Sequence, residues 1–219
     1  MKRLSLFGIT LALLFFTGCV TIFEKYKINA DGSGTMEYII DMSELYEMMG
    51  AFSDSTEEIE SSDMDVTLRE ALPELENIPG ITKVELTGDV TNYVAGIRFD
   101  FKDVKALNNA LAILLEDEEG TAASVNYVEF KGKTFIRNGQ ASQQFNKEDL
   151  FGDEEMDEES TKMIMESMKY NISVEFRKPV KKVTSLANYT VENNSVTVEA
   201  TFAEILDNPE FMKTTIKTK

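Results

Sequence analysis

The sequence predicts an α+β fold, a largely antiparallel sheet built from hairpins with helices packed on one face. Two observations carry this expectation. Short β-type runs meet in pairs across turn-rich connectors, and runs with a helical apolar period fall between those pairs. Hairpin followed by helix occurs twice, over residues 20–52 and 81–115, and a regular strand–helix–strand alternation is absent.

The N-terminal segment comes first. Lys2 and Arg3 form a basic head, residues 4–16 are apolar apart from Ser5, Gly8 and Thr10, and small residues precede Cys19. That combination describes an export signal, and a run of 13 residues falls short of the ~20 that a helix needs to cross a bilayer. Phe16-Thr17-Gly18-Cys19 resembles a bacterial lipobox, with Phe in place of the usual Leu. The resemblance implies that the Cys19 thiol is joined to diacylglycerol and that cleavage removes residues 1–18. Residues 19–219 then form a single α+β lipoprotein domain, held by lipid to a bacterial membrane in the cell envelope and facing the periplasm. Cys19 is the only cysteine, so no internal disulfide can form although the signal implies an oxidising compartment. Acylation gives that lone thiol a use.

The first hairpin joins residues 20–28 to 35–40 through Asn29-Ala30-Asp31-Gly32-Ser33-Gly34. Asp41 and Glu44 offer a capping box, after which Leu45, Met48, Met49 and Phe52 share a helical face. A second helix is expected over residues 66–77, kinked or divided at Pro73. Residues 81–86 and 93–101 read as strands about the turn Thr87-Gly88-Asp89. Asp103 caps a helix that buries Val104, Leu107, Ala110, Leu111 and Leu114. Further along, residues 126–130 and 134–137 form a hairpin, residues 158–169 a helix, and residues 171–177, 180–185 and 196–202 strands. A short helical turn over 202–206 precedes a last strand over 212–217.

Charge and composition narrow the function classes. Net charge is −17 over 219 residues, and loss of Lys2 and Arg3 with the signal takes it to −19. Such a surface repels nucleic-acid phosphates, so nucleic acid is excluded as a partner. The acid is grouped: six carboxylates over residues 54–65, four over 116–119 and eight over 148–159, as expected of solvated loops and exposed helix faces. With no histidine, imidazole bases, Ser-His or Cys-His nucleophiles and histidine metal sites are unavailable. No phosphate-cradling glycine loop or nucleophile elbow is present. Asn29-x-Asp31-x-Ser33-Gly34 imitates the start of a calcium loop, but Ile40 stands where the closing Glu is required. No metal or cofactor is expected. The chain reads as a non-enzyme; a carboxylate pair acting as a hydrolase is the remaining catalytic route.

Methionine is over-used around two helices, Met42, Met48 and Met49 in one and Met156, Met163, Met165 and Met168 around the other. Flexible thioethers suit an adaptable apolar groove, and equally suit ordinary core filling. The groove reading names Met48, Met49, Phe52, Met163 and Met168 as ligand-binding residues.

Residues 29–35 (Asn-Ala-Asp-Gly-Ser-Gly-Thr) and 176–183 (Phe-Arg-Lys-Pro-Val-Lys-Lys-Val) resemble bacterial lipoproteins with an LppM-type domain, and residues 99–108 resemble uncharacterised lipoproteins of Bacteroidota. The resemblance implies an apolar cavity and a lipid or glycolipid ligand. A structural lipoprotein that docks an envelope protein is the alternative.

Overall fold

The computed structural model describes residues 20–52, 62–115, 126–139, 158–208 and 210–219. Cys19 and the acidic block over 116–119 lie outside them, as do Met156 and the side chains of Met48, Met49 and Phe52.

Strands dominate, and they form two sheets rather than one. In the seven-stranded sheet, β1 (Thr21–Ile28) and β2 (Gly34–Asp41) are the first hairpin, and β3 (Ile81–Asp89) and β4 (Val94–Phe101) the second. β7 (Lys169–Phe176), β9 (Asn188–Glu192) and β10 (Ser195–Thr201) complete the order β3-β4-β2-β1-β7-β10-β9. The second sheet has the order β5-β6-β11-β8, from β5 (Val128–Lys131), β6 (Thr134–Arg137), β11 (Thr214–Thr218) and β8 (Val180–Ser185). All pairs are antiparallel except β1 with β7, which run side by side in register from Thr21↔Lys169 to Ile28↔Phe176.

Period-two alternation explains which face of the large sheet is buried. Ile22, Glu24, Tyr26 and Ile28 of β1 are buried, as are Tyr170, Ile172, Val174 and Phe176 of β7 and Val196, Val198 and Ala200 of β10. Lys25 and Lys27 take the opposite face and reach Glu37 and Glu175 at 3.7 Å each. The second sheet meets the buried face: the Phe135 ring of β6 lies 5.8 Å from Tyr26 and 5.9 Å from Phe176.

The described helices are α1 (Ser43–Phe52), α2 (Ser62–Glu76), α3 (Val104–Leu114), α4 (Glu158–Ser167) and α5 (Phe202–Asp207). Asp103 caps α3 by accepting from the Ala106 amide at 2.9 Å. Thr201 and Glu204 form a full capping box on α5. α2 runs through Pro73 as one helix instead of dividing there. Leu68 and Leu75, seven residues apart on one face, are both buried and hold the turns on either side of the proline against the core. The expected turn at residues 87–89 also moves. β3 continues to Asp89, and the reversal is a single 3₁₀ turn, Val90–Asn92, capped by the Asp89 side chain. Gly88, at φ +96°, is a strand residue; a Cβ there would sit 2.5 Å from the Val94 carbonyl oxygen. β9 is a strand over residues that carried no strand expectation.

Candidate functional site

The residues with most chemistry lie between the sheets. Glu24, at the centre of β1, is fully buried, and so is Arg137 at the end of β6. The guanidinium donates Nε–H to Glu24 Oε2 at 2.8 Å and an Nη2 proton to Oε1 at 2.6 Å, a bidentate pair. The Tyr26 hydroxyl donates to Oε2 and the Tyr170 hydroxyl to Oε1, so each carboxylate oxygen accepts two hydrogen bonds. Arg137 also donates from Nη1 to the Asn138 carbonyl at 2.6 Å and lies 5.6 Å from the centre of the Tyr127 ring.

Burial would raise the Glu24 pKa, but the Arg137 charge and the hydrogen bonds from Arg137, Tyr170 and Tyr26 outweigh it and hold the carboxyl below its ordinary range. Burial and the Glu24 charge push the Tyr26, Tyr170 and Tyr38 hydroxyls up. Burial disfavours the Arg137 charge as well, yet Glu24 keeps it firmly protonated. The charged side chains are sealed from solvent, so this cluster joins the two sheets and offers no access to a substrate.

A surface cleft at the open end of the sandwich does offer access. β1 and β7 finish together there, placing Ile28 beside Phe176, and the β5–β6 turn brings Phe130 and Lys133 across from the other sheet. Ile28, Phe130 and Phe176 floor a shallow cleft that opens to solvent. Lys133, Arg177 and Lys178 stand on its rim. Arg177 donates from Nε to Asn29 Oδ1 at 2.8 Å, which ties the rim to the β1–β2 turn. Thr218 closes the side by donating its amide to the Lys133 carbonyl at 3.0 Å. Among the described residues no acid pairs with these three cations. Ile28 lies four positions along β1 from Glu24, so the cleft lies about 13 Å from the buried ion pair at the usual strand rise.

Neither Met163 nor Met168 lines this cleft. Met163 is 66% exposed, while Met168 is buried at 6% together with Met165. On one helix and its exit, Met163 faces solvent and Met168 faces the core. Met48, Met49 and Phe52 belong to α1, and Cys19 precedes the first described residue. Sequence reading passed over the Glu24–Arg137 pair, although its signal was present. Glu24 occupies an apolar parity position in Ile22-x-Glu24-x-Tyr26-x-Ile28, and Arg137 shares its parity with Phe135.

Among the described residues no group of three or more Asp, Glu, His or Cys side chains could hold a metal ion. No described helix is long and apolar enough to cross a membrane.

No protein-family model matches the chain, and no curated protein matches it. Among solved structures the chain is similar to the folded domain of LppM from Mycobacterium tuberculosis, determined by NMR. The match has 11% identity and a TM-score of 0.44 over 94% of this chain and 93% of that one. A likeness this remote carries no function across. Nothing in these comparisons bears on the resemblance to Bacteroidota lipoproteins.

Proposed function

We propose that this chain is a non-enzymatic envelope lipoprotein, anchored through Cys19, whose folded domain binds an apolar ligand with an anionic end in the cleft between β1, β7 and the β5–β6 turn. The observation that carries the reading is the cleft's composition. Ile28, Phe130 and Phe176 form an apolar floor, and Lys133, Arg177 and Lys178 gather on the rim of a chain whose net charge is −17. Three cations against that background focus a local positive field on an opening that accepts hydrocarbon.

The filled interior sets the size of the ligand. Arg137, Tyr26, Tyr170 and Phe135 are among the largest fully buried side chains and occupy the space between the sheets. The cleft is shallow and open to solvent, well below the ~300–1,000 Å³ usual for sites that enclose a ligand. It suits the end of one acyl chain laid against the apolar floor, with the head at the rim and the rest of the ligand outside.

The lipobox places the anchor at the start of β1, and the cleft lies at its other end. Eight strand residues span about 23 Å at the usual rise. The ligand is therefore met on the side remote from the anchoring end.

Native mass spectrometry of the full-length protein, released from its membrane in mild detergent, tests this reading. The expected spectrum shows a reproducible non-covalent adduct of lipid mass in addition to the covalent anchor. A bare mass under conditions that preserve other lipid complexes contradicts it. The anchor is tested separately: Cys19→Ala is expected to leave an uncleaved precursor, and normal processing of that variant would refute the lipobox reading.

A further inference from the structure

The large sheet ends in β9, and the treatment of that edge differs from the other three. Edge strands are ordinarily protected by bulges, lysines or a covering element. β3, the opposite edge, carries a register shift between Thr82 and Glu85 with Lys83 at φ +54°. In the second sheet β5 bears Lys131, and the Asn108 side chain caps it by pairing with both the Val128 amide and carbonyl at 2.9 and 2.8 Å. β8 bears Lys181 and Lys182. β9, Asn188-Tyr189-Thr190-Val191-Glu192, has no lysine, no proline and no bulge in its pairing with β10, and every one of its residues is exposed. Its sequence is rich in residues that favour strands.

The edge is also apolar. Leu186 is 66% exposed and Tyr189 and Val191 are 46% exposed, three of the four large exposed hydrophobics among the described residues. Tyr189 and Val191 pair with Val198 and Val196, which are fully buried, so they extend the core face of the sheet beyond its cover.

The register then selects a partner. Asn193-Asn194 is a two-residue turn, which makes Glu192 and Ser195 the hydrogen-bonded pair that closes the hairpin. Backbone groups alternate from there: those of Glu192, Thr190 and Asn188 point to β10, and those of Val191 and Tyr189 point outward. A second β9 set antiparallel about Thr190 places Tyr189 opposite Val191 of the other copy. The residues with outward amides thus meet each other, and an aromatic side chain lies against a β-branched one. Thr190 faces Thr190 across the two-fold axis, and Glu192 faces Asn188, so no like charges oppose one another.

We propose that β9 pairs with β9 of a second copy of this chain, joining two seven-stranded sheets across a two-fold axis at Thr190. The interface is isologous, as closed dimers require. Five residues on each side bury less than the ~1,200 Å² of a stable complex, so the dimer forms where copies are concentrated.

Site-specific disulfide trapping in cells that express the full-length chain tests the register. Thr190 lies on the solvated face and belongs to a non-hydrogen-bonded pair, where Cα atoms approach to about 4.5 Å, within disulfide reach. Thr190→Cys is expected to give an oxidant-dependent dimer that wild type does not. Asn188→Cys and Glu192→Cys are each expected to stay monomeric alone and to cross-link when expressed together. A monomeric Thr190→Cys protein that accumulates normally overturns the proposal. Equal cross-linking of all three single variants, or capture of a different protein, overturns it as well. Light scattering of the detergent-extracted protein gives an independent reading: the average mass should rise with concentration in wild type and stay monomeric for Val191→Lys. A mass that does not rise in wild type contradicts the dimer.

Discussion

Replacing Arg137 by methionine isolates the contact that joins the two sheets. Methionine keeps much of the arginine stem's apolar volume but removes two hydrogen bonds to Glu24 and one to the Asn138 carbonyl. Glu24 then remains at 0% exposure with only the Tyr26 and Tyr170 hydroxyls to stabilise its charge. Removing one partner of a buried ion pair costs about 3–5 kcal/mol, a large share of the ~5–15 kcal/mol that holds a domain folded. With a urea slope of about 2 kcal/mol per M, the unfolding midpoint falls by about 2 M. Circular dichroism during urea titration at neutral pH measures it. The loss should shrink at acid pH, because protonation of Glu24 removes the uncompensated charge. The double variant Glu24→Gln/Arg137→Met should cost less than the sum of the singles, with a coupling of about 0.5–3 kcal/mol. A cost for Arg137→Met within ~1 kcal/mol of zero, or strict additivity, would refute the claim that this pair links the sheets.

Further expectations follow from the same structure. The Glu24 carboxyl titrates below its ordinary value of 4.5, so its stabilisation is present above that pH and is lost as pH falls through the folded value. The Tyr26, Tyr38 and Tyr170 hydroxyls titrate above their ordinary 10.0, so their contribution is complete below pH 10 and is lost as pH rises past it. Thermal melts should therefore show a plateau with losses on both the acid and alkaline sides; a melting temperature that holds steady on acidification would contradict this. Gly34→Ala places a Cβ 2.0 Å from the Lys27 carbonyl oxygen and 2.7 Å from the Phe101 ring. It should destabilise by about 3 kcal/mol or more, and a melting temperature equal to wild type would count against the close β1–β2 pairing. Asn108→Ala orphans the amide and carbonyl of buried Val128 and should cost about 2–3 kcal/mol, with hydrogen exchange faster in β5 than in β10; uniform exchange would refute a local role.

The sequence revealed elements better than their assembly. Residues 180–185 were legible as a strand from length and β-branched content alone, and Asp103 as a helix cap from its place before Val104 and Leu107. β9 was passed over although Asn188-Tyr189-Thr190-Val191-Glu192 alternates polar with apolar residues, because a run of five with only two apolar positions is a weak strand signal. The second sheet was not legible either. β8, β6 and β11 are separated by helices and by strands of the other sheet, and only long-range pairing such as Ile216 with Phe135 and Val183 brings them together. The Glu24–Arg137 pair spans 113 residues, and a single charge on an apolar parity does not announce its partner. The cleft was hidden for the same reason, since Ile28, Phe130 and Phe176 come from three strands and meet only where those strands end. Methionine spacing located helices: of the residues it named, Met163 turns outward and Met168 inward, and the side chains of Met48, Met49 and Phe52 lie outside the described residues.

The most direct test of ligand binding at this cleft compares native mass spectra of the wild-type protein and Ala30→Trp. Ala30 is exposed in the β1–β2 turn and borders the opening, so an indole there fills it without entering the core. A lipid-mass adduct is expected on wild type and its loss from Ala30→Trp, with unchanged thermal unfolding. An adduct retained at equal occupancy by the folded variant, or absent from wild type, would contradict it.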